Sequence, residues 1–282
     1  MKRFSAISLL LVSLTLLGIT ACSQVSPELR ARIYQAEEKL DACPAPEPLP
    51  YAEGTYEHFI CSNGYPTTME IYRDDALLKK ANRKSVVHIC LPQQRGRLYV
   101  DGKVAADWPV STGVAGRETP TGTYFILEKK KDYASNLYGN IKDANGRTVK
   151  RNADSTKDTI PEGGSFVGSP MPNWMRLTWD GMGMHTGKVQ AGKRLSHGCI
   201  RTPNDMASQL FGITATGTRV HVDGELEQGY PVRHLLPFSE QYQAVLKAHT
   251  DAQENLDKLR KQAADEVAAR KNKAKKAENS VG

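Results

Sequence analysis

The sequence predicts an α+β fold: a β-rich, mostly antiparallel, sandwich-like domain with helices flanking it at both ends. Short runs typical of strands recur from Ser85 onward. Apolar residues at helical spacing occupy residues 27–42, and residues 239–276 are rich in Ala, Glu, Lys, Gln and Leu. The 282 residues are enough for one domain with a substantial core and terminal appendages.

The N-terminus has the composition of an export signal. Lys2 and Arg3 precede an uncharged apolar run through Ile19, which is short for a membrane span. Cys22 directly follows a Thr-Ala pair, which resembles a bacterial lipobox and implies cleavage before Cys22 and acylation of its thiol and new N-terminus. Ser23 at the next position implies sorting to the outer membrane. An ordinary signal peptide with an incidental cysteine is the alternative.

The flanking segments are predicted to be helical. The helix over residues 27–42 precedes a Pro-rich stretch at 43–50, which is predicted to be a semi-rigid connector. Residues 51–84 contain turn signals and one helix-like piece at 69–80, and their role is not indicated. Residues 239–276 show weak heptad spacing and are predicted to form a long helix that packs along the first helix or pairs with another chain.

The segment from residue 85 is predicted to form the sheet. Asp101-Gly102 between two apolar runs, 97–100 and 103–110, indicates a two-residue hairpin turn. Residues 129–172 are polar and Gly-rich, and we predict a long functional loop there, with Tyr138 and Trp174 lining a substrate groove. The alternative is that residues 129–172 form a surface loop without a function. Further strands are predicted at 123–127, 175–179, 183–185 and 219–222, and a helix at 204–211.

The chain is basic. The formal net charge is +7, and residues 270–276 form a basic run. Such a run can bind nucleic acid or an anionic membrane. In an exported chain nucleic acid is not an expected partner, and a solvated tail is the simplest interpretation.

Two neighbouring stretches of the chain carry the residues needed for thiol chemistry. Cys199 needs a base, because a thiol with a pKa of about 8.5 is mostly protonated at neutral pH, and His185 or His197 can supply that base. Gly198 lets the backbone turn so that successive N–H groups point at one oxygen, forming an oxyanion site. Arg201 can hold a substrate carboxylate.

Two other interpretations of Cys199 remain open. It can be a small buried hydrophobic residue, or a zinc ligand together with His185 and His197. His197 and Cys199 are two residues apart, which is not a usual ligand spacing, and no second cysteine follows. We therefore expect no metal.

The same residues belong to a longer series of motifs. The series resembles the signature of the L,D-transpeptidase catalytic domain, the YkuD-like family, over residues 85–224. Its motifs, in the family's order, are Trp108–Gly113, Arg117–Gly122, Ser135–Gly139, Met171–Leu177, Asp180-Gly181, His185–Gly187 and Ser196–Arg201.

The resemblance implies a cysteine-dependent acyltransferase of peptidoglycan that needs no cofactor. Cys199 would attack the L-centre carbonyl of a stem tetrapeptide, release D-alanine and pass the acyl group to an amine. His185 would be the base, and the imidazolium it forms would hold the thiolate by charge. His197 and Gly198 would complete the catalytic loop, whose backbone amides hold the oxyanion. The residues predicted to contact substrate are Ser196, Arg201, Tyr138 and Trp174.

Three alternatives remain at this point. Water as acceptor would give an L,D-carboxypeptidase or a hydrolase. With a lysine of an outer-membrane protein or lipoprotein as the acceptor, the enzyme would attach that protein to peptidoglycan. A peptidoglycan-binding lipoprotein without catalysis is the third. No oligomeric state is indicated.

The remaining cysteines and the domain limits complete the prediction. An oxidising compartment permits disulfides, and after Cys22 and Cys199 three of the five cysteines remain. We predict a Cys43–Cys61 disulfide, with Cys61–Cys90 as the alternative. The predicted limits are 1–21 for the signal peptide, 22–84 for the helix and linker, 85–224 for the catalytic domain and 225–282 for the charged helix and basic tail. The chain is expected to face the periplasm on a lipid anchor.

Overall fold

The computed structural model describes residues 25–43, 45–61 and 64–278. The predicted signal peptide at 1–21 and the predicted lipidation site Cys22 lie outside the described residues. The chain divides into two compact units, Met1–Pro48 with Glu240–Gly282, and Leu49–Ser239. None of the helices in the described residues combines the length and apolar character that a bilayer span requires.

The described residues form five α-helices and thirteen strands. The helices are α1 (Pro27–Asp41), α2 (Tyr56–Cys61), α3 (Asp75–Leu78), α4 (Asn204–Ile213) and α5 (Leu236–Glu278). The strands are β1 (Tyr72–Arg73), β2 (Val86–Cys90), β3 (Arg95–Val100), β4 (Lys103–Pro109), β5 (Gly122–Phe125), β6 (Glu128–Lys130), β7 (Ala134–Lys142), β8 (Thr148–Asp154), β9 (Ser165–Pro170), β10 (Trp174–Arg176), β11 (Gly183–Thr186), β12 (Ile200–Thr202) and β13 (Arg219–Asp223).

The strands form three sheets, and most of their pairs are antiparallel. The orders are β1-β4-β3-β2-β13-β5, β12-β11-β10-β6 and β8-β7-β9. The β11–β12 and β13–β2 pairs are parallel. Asp101 and Gly102, with φ of 50° and 74°, make the turn of the β3–β4 hairpin, as predicted. The predicted α+β fold with mostly antiparallel sheets is confirmed.

One apolar core supports the four-stranded sheet. Fully buried side chains of the six-stranded sheet meet fully buried side chains of β10, β11 and β12. Met206 and Leu210 of α4 complete this core. Burial of this apolar surface fixes β11 and β12, which carry the residues of the predicted site. The contributing side chains include Val87, Leu98, Val220, Met175, Met184 and Ile200.

The second unit includes more of the sequence than the predicted catalytic domain, residues 85–224. Tyr56, Tyr65 and Tyr230, which lie outside residues 85–224, pack in one aromatic cluster. Behind them lies a buried ionic cluster, which we define as Arg95, Arg97, Asp107 and Glu227. The segments on either side of the predicted domain therefore belong to its compact unit, because their aromatic residues cover charged groups of β3 and β4.

Two segments differ from the prediction. Residues 129–172 are not a long loop, because β7, β8 and β9 form a three-stranded sheet there. Most side chains of β8 and β9 are exposed, so these strands lack the apolar alternation by which strands are recognised. The helix expected at 69–80 is a short strand, β1, followed by the single-turn helix α3, whose N-terminus is capped by the Asp74 carboxylate.

The predicted Cys43–Cys61 disulfide is not formed. Cys43, Cys61, Cys90 and Cys199 are free thiols in the described residues. Cys61 is fully buried in the aromatic cluster, whereas Cys43 belongs to the other unit. Cys90 is buried in β2, and the alternative Cys61–Cys90 pair is not formed either. Burial raises the pKa of both Cys61 and Cys90, which keeps these thiols protonated.

The described residues of the first unit form an antiparallel pair of helices, α1 and residues 240–278 of α5. Leu29 and Ala36 of α1 pack against Leu256 and Leu259 of α5. The Arg260 guanidinium donates to Glu37 at 3.0 Å, and the Ser26 amide donates to Glu266 at 2.9 Å. The prediction that the C-terminal helix packs along the N-terminal helix is confirmed.

Candidate functional site

Two adjacent strands bring the predicted catalytic residues together. His185 on β11 lies opposite Arg201 on β12 in the parallel register, and Cys199 immediately precedes β12. His185, Cys199 and Arg201 line one cavity of about 480 Å³, together with Tyr138 of β7. The fold therefore brings residues that are separated in the sequence into a single site.

Side-chain hydroxyls hold the loop that carries Cys199. The Ser196 hydroxyl donates to the Cys199 carbonyl at 2.5 Å and accepts from the Gly198 amide at 3.1 Å. The Thr119 hydroxyl donates to the Gly198 carbonyl at 2.8 Å and accepts from the Gly113 amide. Ser196 therefore positions the loop, and it also lines the cavity. Thr119 was missed at the sequence level, although it lies inside the Arg117–Gly122 motif.

The backbone at Gly198 fixes which amides can face a substrate. Gly198 has a φ of 115°, a conformation that side chains rarely adopt. Its N–H is already bonded to Ser196, so the oxyanion role predicted for it is not supported. Among the described residues no hydrogen-bond partner is found for the amides of His197 and Cys199. These two N–H groups are therefore free to donate a hydrogen bond.

His185 is a buried, neutral imidazole. Its ring is 6% exposed, and Nδ1 donates to the Thr186 carbonyl at 2.8 Å. Since a carbonyl can only accept, the proton resides on Nδ1 and the lone pair resides on Nε2. Burial, with a smaller contribution from the Arg201 charge, lowers the pKa of His185 to about 4, although the Thr186 bond opposes this shift. The imidazole is therefore uncharged and ready to accept a proton at neutral pH.

Cys199 is a protonated thiol in this state. Burial raises its pKa, and the Gly183 amide and the Arg201 charge offset only part of that effect. Its Sγ lies 3.5 Å from the Gly181 carbonyl oxygen, which accepts a hydrogen bond from the thiol. In the part of the chain that the structure describes, no hydrogen bond joins this sulfur to His185. The expected thiolate–imidazolium pair is therefore replaced by a neutral thiol and a neutral base.

Arg201 presents an unpaired positive charge to the cavity. Glu118 and Asp180 line the same cavity, but its guanidinium forms no ion pair with them or with any other carboxylate of the described residues. Its methylene stem passes over Gly187, where a Cβ would come within 2.9 Å of Arg201 Cγ. Gly187 therefore makes room for the side chain, and the guanidinium is free to hold a carboxylate.

The other predicted site residues occupy different positions. His197 is exposed, and its ring meets Tyr138 edge-on with centroids 4.7 Å apart. Burial, Arg117 and Arg201 all lower the pKa of His197. Trp174 was predicted to line the groove, but it is fully buried, stacked on Tyr133, with its ring 6.0 Å from that of His185. It packs beside the predicted base and is not among the residues that line the cavity.

The turn between β10 and β11 contributes groups that the sequence did not single out for a role. Asp180, Gly181 and Met182 line the cavity, and the Gly181 carbonyl contacts the thiol. The only signal for Asp180 and Gly181 was their place in the Asp180-Gly181 motif, and Met182 lies outside it. Within the described residues, no group of three or more His, Cys, Asp or Glu side chains is arranged to hold a metal ion.

Residues 84–222 match the model of the L,D-transpeptidase catalytic domain family, YkuD. A search of the curated proteins gave no match. Among solved structures, the L,D-transpeptidase from Mycobacterium smegmatis is 22% identical over 50% of this chain and 59% of that chain, with a TM-score of 0.38. A mutant of the Enterococcus faecium L,D-transpeptidase is 27% identical over 50% of each chain, with a TM-score of 0.37.

A catalytic domain of E. faecium L,D-transpeptidase, solved by NMR, is also 27% identical and has a TM-score of 0.37, over 50% of this chain and 98% of that chain. The chain spans less than two thirds of the M. smegmatis protein and of the E. faecium mutant.

Proposed function

We propose that this chain, whose residues 84–222 match the L,D-transpeptidase catalytic domain, is a cysteine-dependent acyltransferase of peptidoglycan stem peptides. The observation that carries the proposal is the presence of Cys199, His185 and Arg201 on one cavity inside the matched region. Together they supply a nucleophile, a base and an anchor for a carboxylate.

In the first step, His185 Nε2 accepts the Cys199 thiol proton as the sulfur attacks a stem-peptide carbonyl carbon. The amides of His197 and Cys199 donate to the resulting oxyanion. The C–N bond then breaks, and His185 returns the proton to the departing amine, which is the terminal D-alanine of a tetrapeptide. A thioester on Cys199 remains. The bond from Nδ1 to Thr186 keeps the ring in the tautomer that this cycle needs.

In the second step, an acceptor amine attacks the thioester. His185 takes a proton from that amine and gives it to the leaving Cys199 sulfur, which restores the resting thiol. We propose that the acceptor is the side-chain amine of a second stem peptide. The Arg201 guanidinium would hold a carboxylate of the bound stem, because it forms no ion pair with a carboxylate of the described residues.

The test is direct observation of the thioester. Wild-type protein mixed with a purified stem tetrapeptide is expected to gain the mass of the tripeptide acyl group and to release D-alanine. The Cys199→Ala variant, which keeps the cavity and lacks the sulfur, is expected to show neither. An unmodified wild-type mass during turnover, or turnover by the variant, would contradict the proposal.

We also propose that the protein is lipid-anchored and faces the periplasm, with Cys22 as the acylated residue. Support comes from the sequence alone: a basic start, an apolar run and a cysteine after Thr-Ala. Replacing Cys22 with alanine is expected to move the protein from the membrane fraction to the soluble fraction after cell breakage. Cys43→Ala is the matched control, since that thiol lies beyond the signal. An unchanged membrane fraction for Cys22→Ala would refute the anchor.

A further inference from the structure

The helix α5 extends beyond the helix it packs against. Ser26, the residue before α1, donates from its amide at 2.9 Å and from its hydroxyl at 3.2 Å to the Glu266 carboxylate. Among the described residues, Val267 is the last of α5 to pack against the core of the pair. The helix ends at Glu278, so residues 268–278 project past the start of α1 over about 16 Å. The reaction proposed above gives this segment no role.

This projecting segment is strongly basic, and we call residues 268–276 the basic end. Every side chain in it is exposed, and none is Asp or Glu. The nearest acidic residues in the sequence are Glu266, which is bonded to Ser26, and Glu278. Counting both, residues 266–278 still carry a net charge of +3. The ion pairs that α5 makes in the described residues lie elsewhere on the helix. The positive residues of the basic end are Arg270, Lys271, Lys273, Lys275 and Lys276.

The charges of the basic end surround the helix and do not occupy one face. At about 3.6 residues per turn, the five positive positions are spread over the whole circumference. The basic end has no apolar side chain larger than that of alanine, so it offers no apolar stripe to a second helix. The helix dipole favours positive residues in the last turn, whereas Arg270 and Lys271 lie about two turns before the end of α5. This arrangement suits an extended anionic surface and does not suit a partner helix.

The basic end lies at the same end of the helix pair as the proposed lipid anchor. Cys22 precedes Ser26 by four residues, and four extended residues span no more than about 14 Å. Along α5, Arg270 and Lys276 lie about 6 Å and about 15 Å beyond Glu266, which is bonded to Ser26. A membrane that holds acyl chains on Cys22 is therefore within about 14 Å of Ser26, a range that the basic end also covers. This step rests on the lipid anchor proposed above, whereas the charge of the basic end does not.

We propose that the basic end binds the anionic surface of a phospholipid membrane, with its Lys and Arg side chains donating to lipid phosphate oxygens. An anionic membrane surface strengthens binding about fivefold for each Lys or Arg near it. Attachment at two points, the acyl chains and the basic end, fixes the direction in which the helix pair leaves the membrane. Nucleic acid, which a basic segment can also bind, is not an expected partner of an exported chain.

The experiment measures flotation with lipid vesicles. The parent protein is residues 22–282 with Cys22→Ala, which is the chain left by the proposed signal cleavage but without an acyl group, and it keeps every described residue. It is expected to bind vesicles of phosphatidylcholine and phosphatidylglycerol in equal parts and not vesicles of phosphatidylcholine alone. Salt at about 1 M, where the Debye length is about 3 Å, is expected to release it.

Two double variants of the parent protein locate the binding. Lys275→Gln with Lys276→Gln is expected to lower the partition coefficient for the anionic vesicles roughly tenfold or more. Glutamine forms helices about as well as lysine, so the circular dichroism of the protein is expected to stay the same. Lys258→Gln with Lys261→Gln is the matched control, because it removes the same charge at exposed positions of α5 before the basic end. It is expected to bind like the parent protein.

Three results would each overturn the proposal: no binding of the parent protein to the anionic vesicles, equal binding to both kinds of vesicle, or equal losses in the two double variants. Because no acyl group is present in these proteins, none of the three results bears on the lipid anchor. The anchor is tested separately, by the membrane fraction of Cys22→Ala in cells.

Discussion

Replacing His185 with alanine is expected to slow acylation of Cys199 at neutral pH by about 10² to 10⁴-fold, the usual contribution of a positioned general base. The effect is large because, without this base, the thiol loses its proton only by ionising on its own. Burial raises the pKa of Cys199, and its present partner, the Gly181 carbonyl, cannot accept a proton. The measurement is the rate of thioester formation followed by mass in a single turnover.

The pH dependence of the slower acylation in His185→Ala distinguishes a general base from a histidine with a structural role only. The His185 pKa is lowered to about 4, so the imidazole of the wild type is already unprotonated at mildly acidic pH. In His185→Ala the thiolate must form by itself, and its fraction grows about tenfold per pH unit below the thiol pKa. The deficit of the variant is therefore expected to shrink as pH rises. A deficit that is constant across pH would argue against the assignment of His185 as base.

His197→Ala provides the matched comparison, because this second histidine lies on the same cavity but is exposed and meets Tyr138. We expect a smaller loss than for His185→Ala, together with a change in substrate KM. A loss in His197→Ala as large as that of His185→Ala, with the same pH dependence, would reverse the roles of the two histidines.

Local patterns in the sequence were enough to predict the elements that hold the site. The β3–β4 hairpin follows from Asp101-Gly102, because both residues accept a positive φ that other residues resist. The α4 helix follows from its start after Pro203 and from its apolar face. The helical structure of α1 and α5 follows from their apolar spacing, although that spacing left open whether α5 packs along α1 or pairs with another chain. Each of these signals lies within one short segment.

Features that depend on distant contacts could not be predicted in this way. The protonation states of Cys199 and His185 depend on burial, and burial depends on how β10, β11 and β12 pack against the six-stranded sheet. Trp174 resembled a groove residue by its place in a motif, and only the packing shows that it lies behind His185. The partners of Arg97 come from three separate segments, at Tyr65, at Asp107 and at Glu227.

The buried ionic cluster is expected to give the largest effect on stability. The Asp107 carboxylate accepts from the Arg95 Nε at 2.6 Å and from the Arg97 Nε at 3.1 Å, and all three side chains are fully buried. The Tyr56 and Tyr65 hydroxyls donate to the same carboxylate. Burial and the Asp107 charge raise the pKa of both tyrosines, so they remain donors.

Asp107→Asn is expected to lower the free energy of unfolding by about 3–5 kcal/mol, because it leaves buried guanidinium charge without its counterion. The corresponding fall in Tm for a unit of this size is about 10 °C or more. Fluorescence of the buried Trp108 and Trp174 reports unfolding of this unit. Asp101→Asn is the matched control: it is exposed, and asparagine tolerates its φ of 50°. If Asp107→Asn unfolds within about 1 kcal/mol of the wild type, as expected for a surface pair, then the cluster does not hold the flanking segments to the sheet.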